Sequence, residues 1–172
     1  MAKVYFSTGS NQGDRLNSLV QAAKLIDSLI GKVIQFSPVV ESEPWGFEAE
    51  TTFYNHVLMV ETQLTPQQVL NQVLEIETTL GRKRSGKEYS SRKIDIDILF
   101  YNEKQVEENN LVIPHPLLHK RNFVLQPLVE IVPDLVHPVF QTTISELLSQ
   151  LKDSSRISVA VEKEEFTRLF NQ

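Results

Sequence analysis

The octapeptide KIDIDILF, Lys93 to Phe100, leaves the chain little freedom of local structure. β-Branched residues at every second position make a strand, and alternate side chains of a strand point to opposite faces. Ile94, Ile96 and Ile98 therefore share one face while Asp95 and Asp97 share the other. The isoleucine face needs a cover, and the aspartate face sets two carboxylates ~6.6 Å apart at ~3.3 Å rise per residue. At an effective dielectric of about 20, two unit charges at that separation repel by ~2.5 kcal/mol. A solvated strand face is the plainer reading, but a strand that invests in Ile, Leu and Phe gains nothing in packing from Asp. A cation between the carboxylates turns repulsion into binding, and Mg²⁺ characteristically takes one or two carboxylates with phosphate oxygens and water.

The remaining pattern supplies a sheet for this strand and helices to cover it. Lys3 to Thr8 alternates as a strand, and Gly9-Ser10-Asn11 reads as a turn and helix start. Apolar residues at helical spacing (Leu16, Leu19, Val20, Ala23, Ile26, Ile30) predict a helix from about Asp14 to Leu29, ended by Gly31. Lys32 to Glu43 and Phe53 to Thr62 are strand-like, with Pro44-Trp45-Gly46 between them. Thr65 at the N-cap, Pro66 at the first helical position and Gln68 three residues after the cap open a second helix, which Gly81 closes. With Ile94 to Tyr101 the order becomes strand, helix, strand, strand, helix, strand. This is an α+β, ferredoxin-like βαββαβ core, an antiparallel sheet with both helices on one face. Beyond it, Gln105 to Glu107 could form a short strand, Leu125 to Ile131 is helical, and Thr143 with Glu146 caps a helix from Ile144 to Leu151. The tail from Lys152 offers one strand, Ile157 to Val161.

At 172 residues and 41% hydrophobic content the whole chain, 1–172, is expected to be a single domain. It opens straight into a strand and holds no run of eighteen apolar residues, so a cytoplasmic protein without membrane association is expected. With no cysteine, any metal must take oxygen or imidazole ligands. The net charge of −5 hides an uneven distribution: Arg82 to Lys93 holds six cations against Glu88, a segment of +5 on a remainder of −10. The acidic body argues against general nucleic-acid binding. A basic loop immediately before a carboxylate pair suits a nucleoside polyphosphate carrying Mg²⁺, with Arg82, Arg84 and Arg92 as planar forks and Lys87 as a point charge.

The rest of the phosphate chemistry would also be built from side chains. Gly9-Ser10-Asn11-Gln12-Gly13 lacks a following Gly-Lys-Ser/Thr and is no P-loop, and no protein-kinase signature set is present. Phe53-Tyr54-Asn55 could stack a flat heterocycle and hydrogen-bond its edge, or could simply be core at a strand start. Trp45, the only tryptophan, could close over that site, while His115 and Arg121 could add to a phosphate site and Phe123 could form a second stacking wall.

These pieces in this order resemble a known family. Gly81-Arg82-x-Arg84, Arg92-x-x-Asp95-x-Asp97-Ile98-Leu99, Pro114-His115 and Arg121-x-Phe123, with Gly9-Ser10-Asn11 and Tyr54-Asn55, look like the 6-hydroxymethyl-7,8-dihydropterin pyrophosphokinases of folate biosynthesis. The resemblance runs from about Val4 to Leu151 and leaves residues 152–172 outside it. It implies transfer of the β,γ-pyrophosphoryl group of ATP to the pterin hydroxymethyl group, releasing AMP. It implies two Mg²⁺ ions on Asp95 and Asp97, and phosphate contacts from Arg82, Arg84, Arg92, His115 and Arg121. Glu77 and Ile98 are then expected near the nucleotide, Phe53 and Phe123 around the pterin, and Asn55 at the pterin edge. Ser42, Pro44, Trp45 and Gly46 line the same pocket, which Tyr54 is expected to share. Departures cluster in the basic loop: Tyr89-Ser90-Ser91-Arg92 stands where the family often has an aromatic followed by Gly-Pro-Arg, and Lys87 neighbours Glu88 where some members carry arginine.

Two other readings use the same features. A ferredoxin-like sheet can be an RNA-binding module, although no run of glycine and aromatics of the RNP type is present. Paired aspartates can also serve a metal-dependent nuclease. For the pyrophosphokinase reading, ATP and the pterin are the expected partners and the chain is expected to be a monomer or weak dimer.

Overall fold

The structure is a computed structural model and describes residues 1–46, 48–81 and 93–172. Its centre is β1 (Ala2–Ser10), paired antiparallel with β4 (Phe53–Thr62) on one side and with β5 (Asp95–Tyr101) on the other. β2 (Lys32–Phe36) and β3 (Val39–Ser42) run in succession along the far side of β4, and β8 (Ile157–Val161) adds to β3 as the outermost strand. The expected strand from Lys32 to Glu43 is thus broken at Ser37-Pro38. Proline has no N–H for the ladder. Ser37 restores the pairing by donating its N–H to the Val57 carbonyl and accepting the Val57 N–H on its hydroxyl, at 2.9 and 2.8 Å.

Helices α1 (Arg15–Leu29) and α2 (Pro66–Thr79) lie on one face, as the ferredoxin-like order requires. Asp14 caps α1 by accepting the Asn17 N–H, and α2 carries the full capping box of Thr65 and Gln68. Their apolar stripes meet Val4, Phe6, Leu58, Val60, Ile94, Ile96 and Ile98 in one core. A second core on the opposite face joins Tyr5, Val57, Met59, Leu99 and Phe100 to α3 (Asn122–Ile131) and α4 (Ile144–Ser149). Leu99 lies on that face by alternation with Asp95 and Asp97, and Phe100 joins it through a bulge in β5, where the register against β1 shifts between Tyr5 and Phe6.

Three expectations are corrected here. β1 continues through Gly9 and Ser10, so the turn begins only at Asn11. The short strand expected at Gln105 to Glu107 is β6 (Val106–Glu108), in a hairpin with β7 (Leu111–Ile113). The tail contains not only β8 but a helix, α5 (Lys163–Phe170), whose Phe166 is fully buried beside Phe36. Among the described residues no helix is long and apolar enough to cross a membrane.

Candidate active site

α3 and α4 cover only part of their face of the sheet, and the uncovered part carries the polar residues. On β5, Ile94, Ile96 and Ile98 are 0%, 4% and 6% exposed in the helix-side core, while Asp95 and Asp97 are half-buried on the other face. Asp97 lies opposite Ser7 of β1 and Asp95 opposite Gly9, so the floor beside the carboxylates is built from very small residues. Gly9 in turn lies opposite Asn55 of β4. Two strand spacings of ~4.8 Å put the amide of Asn55 on the order of 10 Å from the carboxylates across this floor.

Gly9 and Asn55 fit each other. A Cβ on Gly9 would stand 2.6 Å from Asn55 Oδ1, so only glycine lets the amide lie over the strand. The buried Asn55 Nδ2 donates to Ser42 Oγ at 2.8 Å, which fixes the amide plane. Phe53, two residues along the same face, is half-buried. Tyr54 is not brought to this site: strand alternation turns it to the helix face, where the Arg15 guanidinium lies 3.8 Å from its ring centroid. Arg15 also donates to the Thr52 carbonyl and hydroxyl and pairs with Glu41 at 3.1 Å, anchoring the end of the loop that holds Pro44, Trp45 and Gly46. Nothing in the residue pattern around Arg15 or Glu41 singled them out, since each is an ordinary charge until the sheet register is known.

A second wall comes from the segment after β7. The Ile113–Pro114 peptide is cis, and His115 then donates its backbone N–H to the Leu99 carbonyl at 3.0 Å. His115 Nδ1 accepts the Leu117 N–H at 3.1 Å, which leaves the proton of the neutral ring on Nε2, 3.8 Å from Asp97 Oδ2. Burial, and after it the Arg121 charge, push the His115 imidazole down to about 4, with the Asp95 charge partly offsetting both. Histidine is therefore neutral at pH 7, and its relation to Asp97 is that of a dipole and not an ion pair. Arg121 supplies the cation: its Nη1 lies 3.7 Å from Asp97 Oδ2, with its guanidinium 4.8 Å from the Trp45 ring centroid and 5.6 Å from that of Phe123. Aspartate, arginine and two aromatic rings thus meet on the open face.

Glu77 and Ile98 occupy the rim from below. β5 is an edge strand, and the buried Glu77 carboxylate of α2 accepts the outward Ile96 N–H at 3.0 Å, while Ile98 is part of the helix-side core. Arg82, Arg84, Lys87 and Arg92 lie outside the described residues. Among those described, no group of three or more His, Asp or Glu side chains is placed to hold a metal by itself. Two half-buried carboxylates, all-oxygen donors beside a serine and a glycine, nevertheless fit a hard divalent cation that completes its shell with phosphate and water.

The family model for 7,8-dihydro-6-hydroxymethylpterin-pyrophosphokinase matches residues 5–133. The chain belongs to this family. It is 39% identical over 146 residues to the 2-amino-4-hydroxy-6-hydroxymethyldihydropteridine pyrophosphokinase of Aquifex aeolicus, covering 85% of this chain and 90% of that one. To the enzyme of the same name from Porphyromonas gingivalis it is 41% identical over 141 residues, with 80% and 95% covered. It also matches the Folic acid synthesis protein fol1 of Pneumocystis carinii, at 39% identity over 87% of this chain but only 20% of the longer protein. In fold it is similar to the crystal structure of HPPK-DHPS in complex with substrates, with a TM-score of 0.73 and 16% identity over 87% of this chain and 43% of that one. The pyrophosphokinase family's matched span holds β1 to α3 and therefore both walls of the site, and stops short of α4, β8 and α5.

Proposed function

We propose that this chain transfers the β,γ-pyrophosphoryl group of ATP to the hydroxymethyl group of 6-hydroxymethyl-7,8-dihydropterin in folate biosynthesis. The observation that carries the reading is the floor of the open face, where Asp95 and Asp97 stand two strands from the Phe53–Asn55 pair with only Ser7 and Gly9 between. A flat bicyclic ring fits against Phe53 and Phe123 with its polar edge at Asn55. Its hydroxymethyl arm then points along the floor toward the carboxylates, where the triphosphate would lie.

In the proposed reaction the hydroxymethyl oxygen attacks the β-phosphorus, the bond from that phosphorus to the α–β bridging oxygen breaks, and its electron pair leaves with AMP. The hydroxyl proton goes to solvent. Asp95 and Asp97 would hold Mg²⁺ together with triphosphate oxygens, and the bound ions would neutralise phosphate charge. Phosphoryl chemistry of this kind needs positioning and charge stabilisation more than proton transfer. His115 suits that demand, because a ring held neutral with Nδ1 occupied can donate from Nε2 but is a poor base. Arg121 is aimed by its stacking on Trp45 and Phe123 and would move from Asp97 to phosphate. Arg82, Arg84, Lys87 and Arg92 would complete the phosphate contacts, and Glu77 acts by fixing the backbone of β5 between the two aspartates. A cytoplasmic location belongs to the same reading.

The RNA-binding alternative has less to stand on. An RNA-recognition sheet presents aromatics on its open face, whereas Tyr5 and Phe100 of this face are 5% and 1% exposed beneath α3 and α4. A product assay with ATP, Mg²⁺ and the hydroxymethyl dihydropterin tests the proposal. AMP and the pterin diphosphate should form in equal amounts; ADP as product, or no pterin-dependent turnover, overturns it.

A further inference from the structure

Two walls of the proposed pterin slot are tied together by a segment beyond the family match. On one wall, Ser42 of β3 receives the Asn55 amide, and β3 is itself held by β8 through the pairs Ser42 with Ile157, Glu41 with Ser158 and Val40 with Val159. On the other, Asn122 sits between Arg121 and Phe123 at the first turn of α3. Arg121, in the N-cap position, makes no side-chain capping bond. The cap comes from the tail: Asp153 Oδ2 accepts the Asn122 N–H at 3.1 Å, and the Ser155 carbonyl accepts from Asn122 Nδ2 at 2.9 Å. Asp153 Oδ1 in turn accepts the Ser155 N–H at 2.9 Å, so the turn before β8 is locked to the same carboxylate. An acceptor anion at a helix start satisfies a free N–H and favours the helix dipole. Burial alone would raise the Asp153 pKa, but the bonds from Ser155 and Asn122 outweigh it and hold the group below the ordinary carboxylate range.

We propose that residues 153–158 are a clamp that sets the distance between the Asn55–Ser42 wall and the Arg121–Phe123 wall, with Asp153 as its positioning residue. The inference rests on the pterin reading of the slot. It makes the tail part of substrate recognition, although no residue of the tail lines the floor. α5 lies outside the clamp: its Phe166 packs on Phe36 of β2 and His56 of β4.

The test is the dissociation constant of the hydroxymethyl dihydropterin, measured calorimetrically with a non-hydrolysable ATP analogue and Mg²⁺ present, alongside that of the analogue alone. Asp153→Ala should weaken the pterin roughly tenfold, the size a charge-assisted hydrogen bond commands, and change the analogue by less than about twofold. Asp153→Asn keeps one acceptor oxygen for the Asn122 N–H and should recover most of the loss. Asn122→Ala loses only the bond to the Ser155 carbonyl and should fall between. Phe166→Leu, which loosens α5 without touching the clamp, should lower the melting temperature and leave pterin affinity alone. The clamp is overturned if Asp153→Ala binds pterin like the unaltered chain, or if Phe166→Leu reproduces its effect. An unaltered chain that binds nucleotide but no pterin overturns the slot reading itself, and the clamp with it.

Discussion

On one face of β5, Ile94, Ile96 and Ile98 lie in the core with α1 and α2; on the other, Asp95 and Asp97 stay half-buried beside a serine and a glycine. The two sets are one residue apart in the chain and share a backbone, yet they answer to different demands. The isoleucines gain free energy by leaving water, about 1.5–3 kcal/mol for each fully buried side chain. The aspartates gain none that way; Arg121 offsets part of the charge at Asp97, and the proposed Mg²⁺ would offset the repulsion between the two. Strand parity therefore separates what holds the fold from what the fold holds.

The largest expected effect tests the polar side of that separation. Asp95→Asn should lower turnover by about 10³ or more, because charge stabilisation at the phosphates is lost, while urea unfolding shifts by less than about 1 kcal/mol, the usual worth of a partly exposed charge. Asp97→Asn should lose comparable activity but also about 1 kcal/mol of stability, since Arg121, only 7% exposed, loses the charge of Asp97. If activity and stability fell together in Asp95→Asn, the separation by parity would be broken.

Ile96, between the two aspartates, gives the reciprocal test. Truncation to alanine should cost roughly 3 kcal/mol in a denaturant titration, the usual size for a fully packed core position. Turnover per folded molecule should stay within about twofold, since the Glu77 bond to the Ile96 N–H is a backbone contact that alanine keeps.

The histidines sharpen the comparison through pH. His56, on the helix face, is pushed down to about 3 by burial between Phe36 and Phe166, with Nδ1 bonded to the Thr8 hydroxyl. His115, on the site face, reaches about 4 through burial and then the Arg121 charge, against the pull of Asp95. Both pKa values lie below the unfolded one near 6.5, so the unfolded chain binds more protons in the window between. Stability is complete above about pH 6.5 and falls as the pH drops toward 4 and then 3. His56→Phe should flatten that fall by on the order of 2 kcal/mol between pH 7 and 4. Unfolding curves at stepped pH check it; an unchanged slope would mean that the buried ring is not the group that titrates.

The same parity explains what could be read in advance. Strand β5, both capping boxes and the βαββαβ order were legible because each rests on local spacing that repeats over several residues. Tyr54 groups with Phe53 and Asn55 in the sequence because the three are consecutive, yet the rule that separates Asp95 from Ile96 also sends Tyr54 to the far face under Arg15. α5 gave no signal because eight residues with Phe166, Leu169 and Phe170 make barely one apolar turn. Gly9 looked like punctuation, since glycine after an alternating run normally means a turn. Only the register against β4 shows that it is a strand residue facing an amide.

Gly9 also carries the smallest expected effect, and the one that probes the floor most directly. Alanine there would bring a Cβ within 2.6 Å of Asn55 Oδ1, while the next neighbour, a Phe53 ring carbon, stays at an ordinary 3.8 Å. The obstructing atom ends a side chain, so Asn55 can swing away at the expense of its bond to Ser42, and stability should fall by less than about 1 kcal/mol. Pterin affinity should drop about fivefold, because the amide no longer presents the same edge. The double mutant decides whether that path is correct. In an Asn55→Ala background the Gly9→Ala penalty should vanish, since the two changes act through one contact. A penalty that persisted there would place the role of Gly9 in the floor beside Asp95 instead, and would move the boundary between the ring site and the phosphate site one strand toward β5.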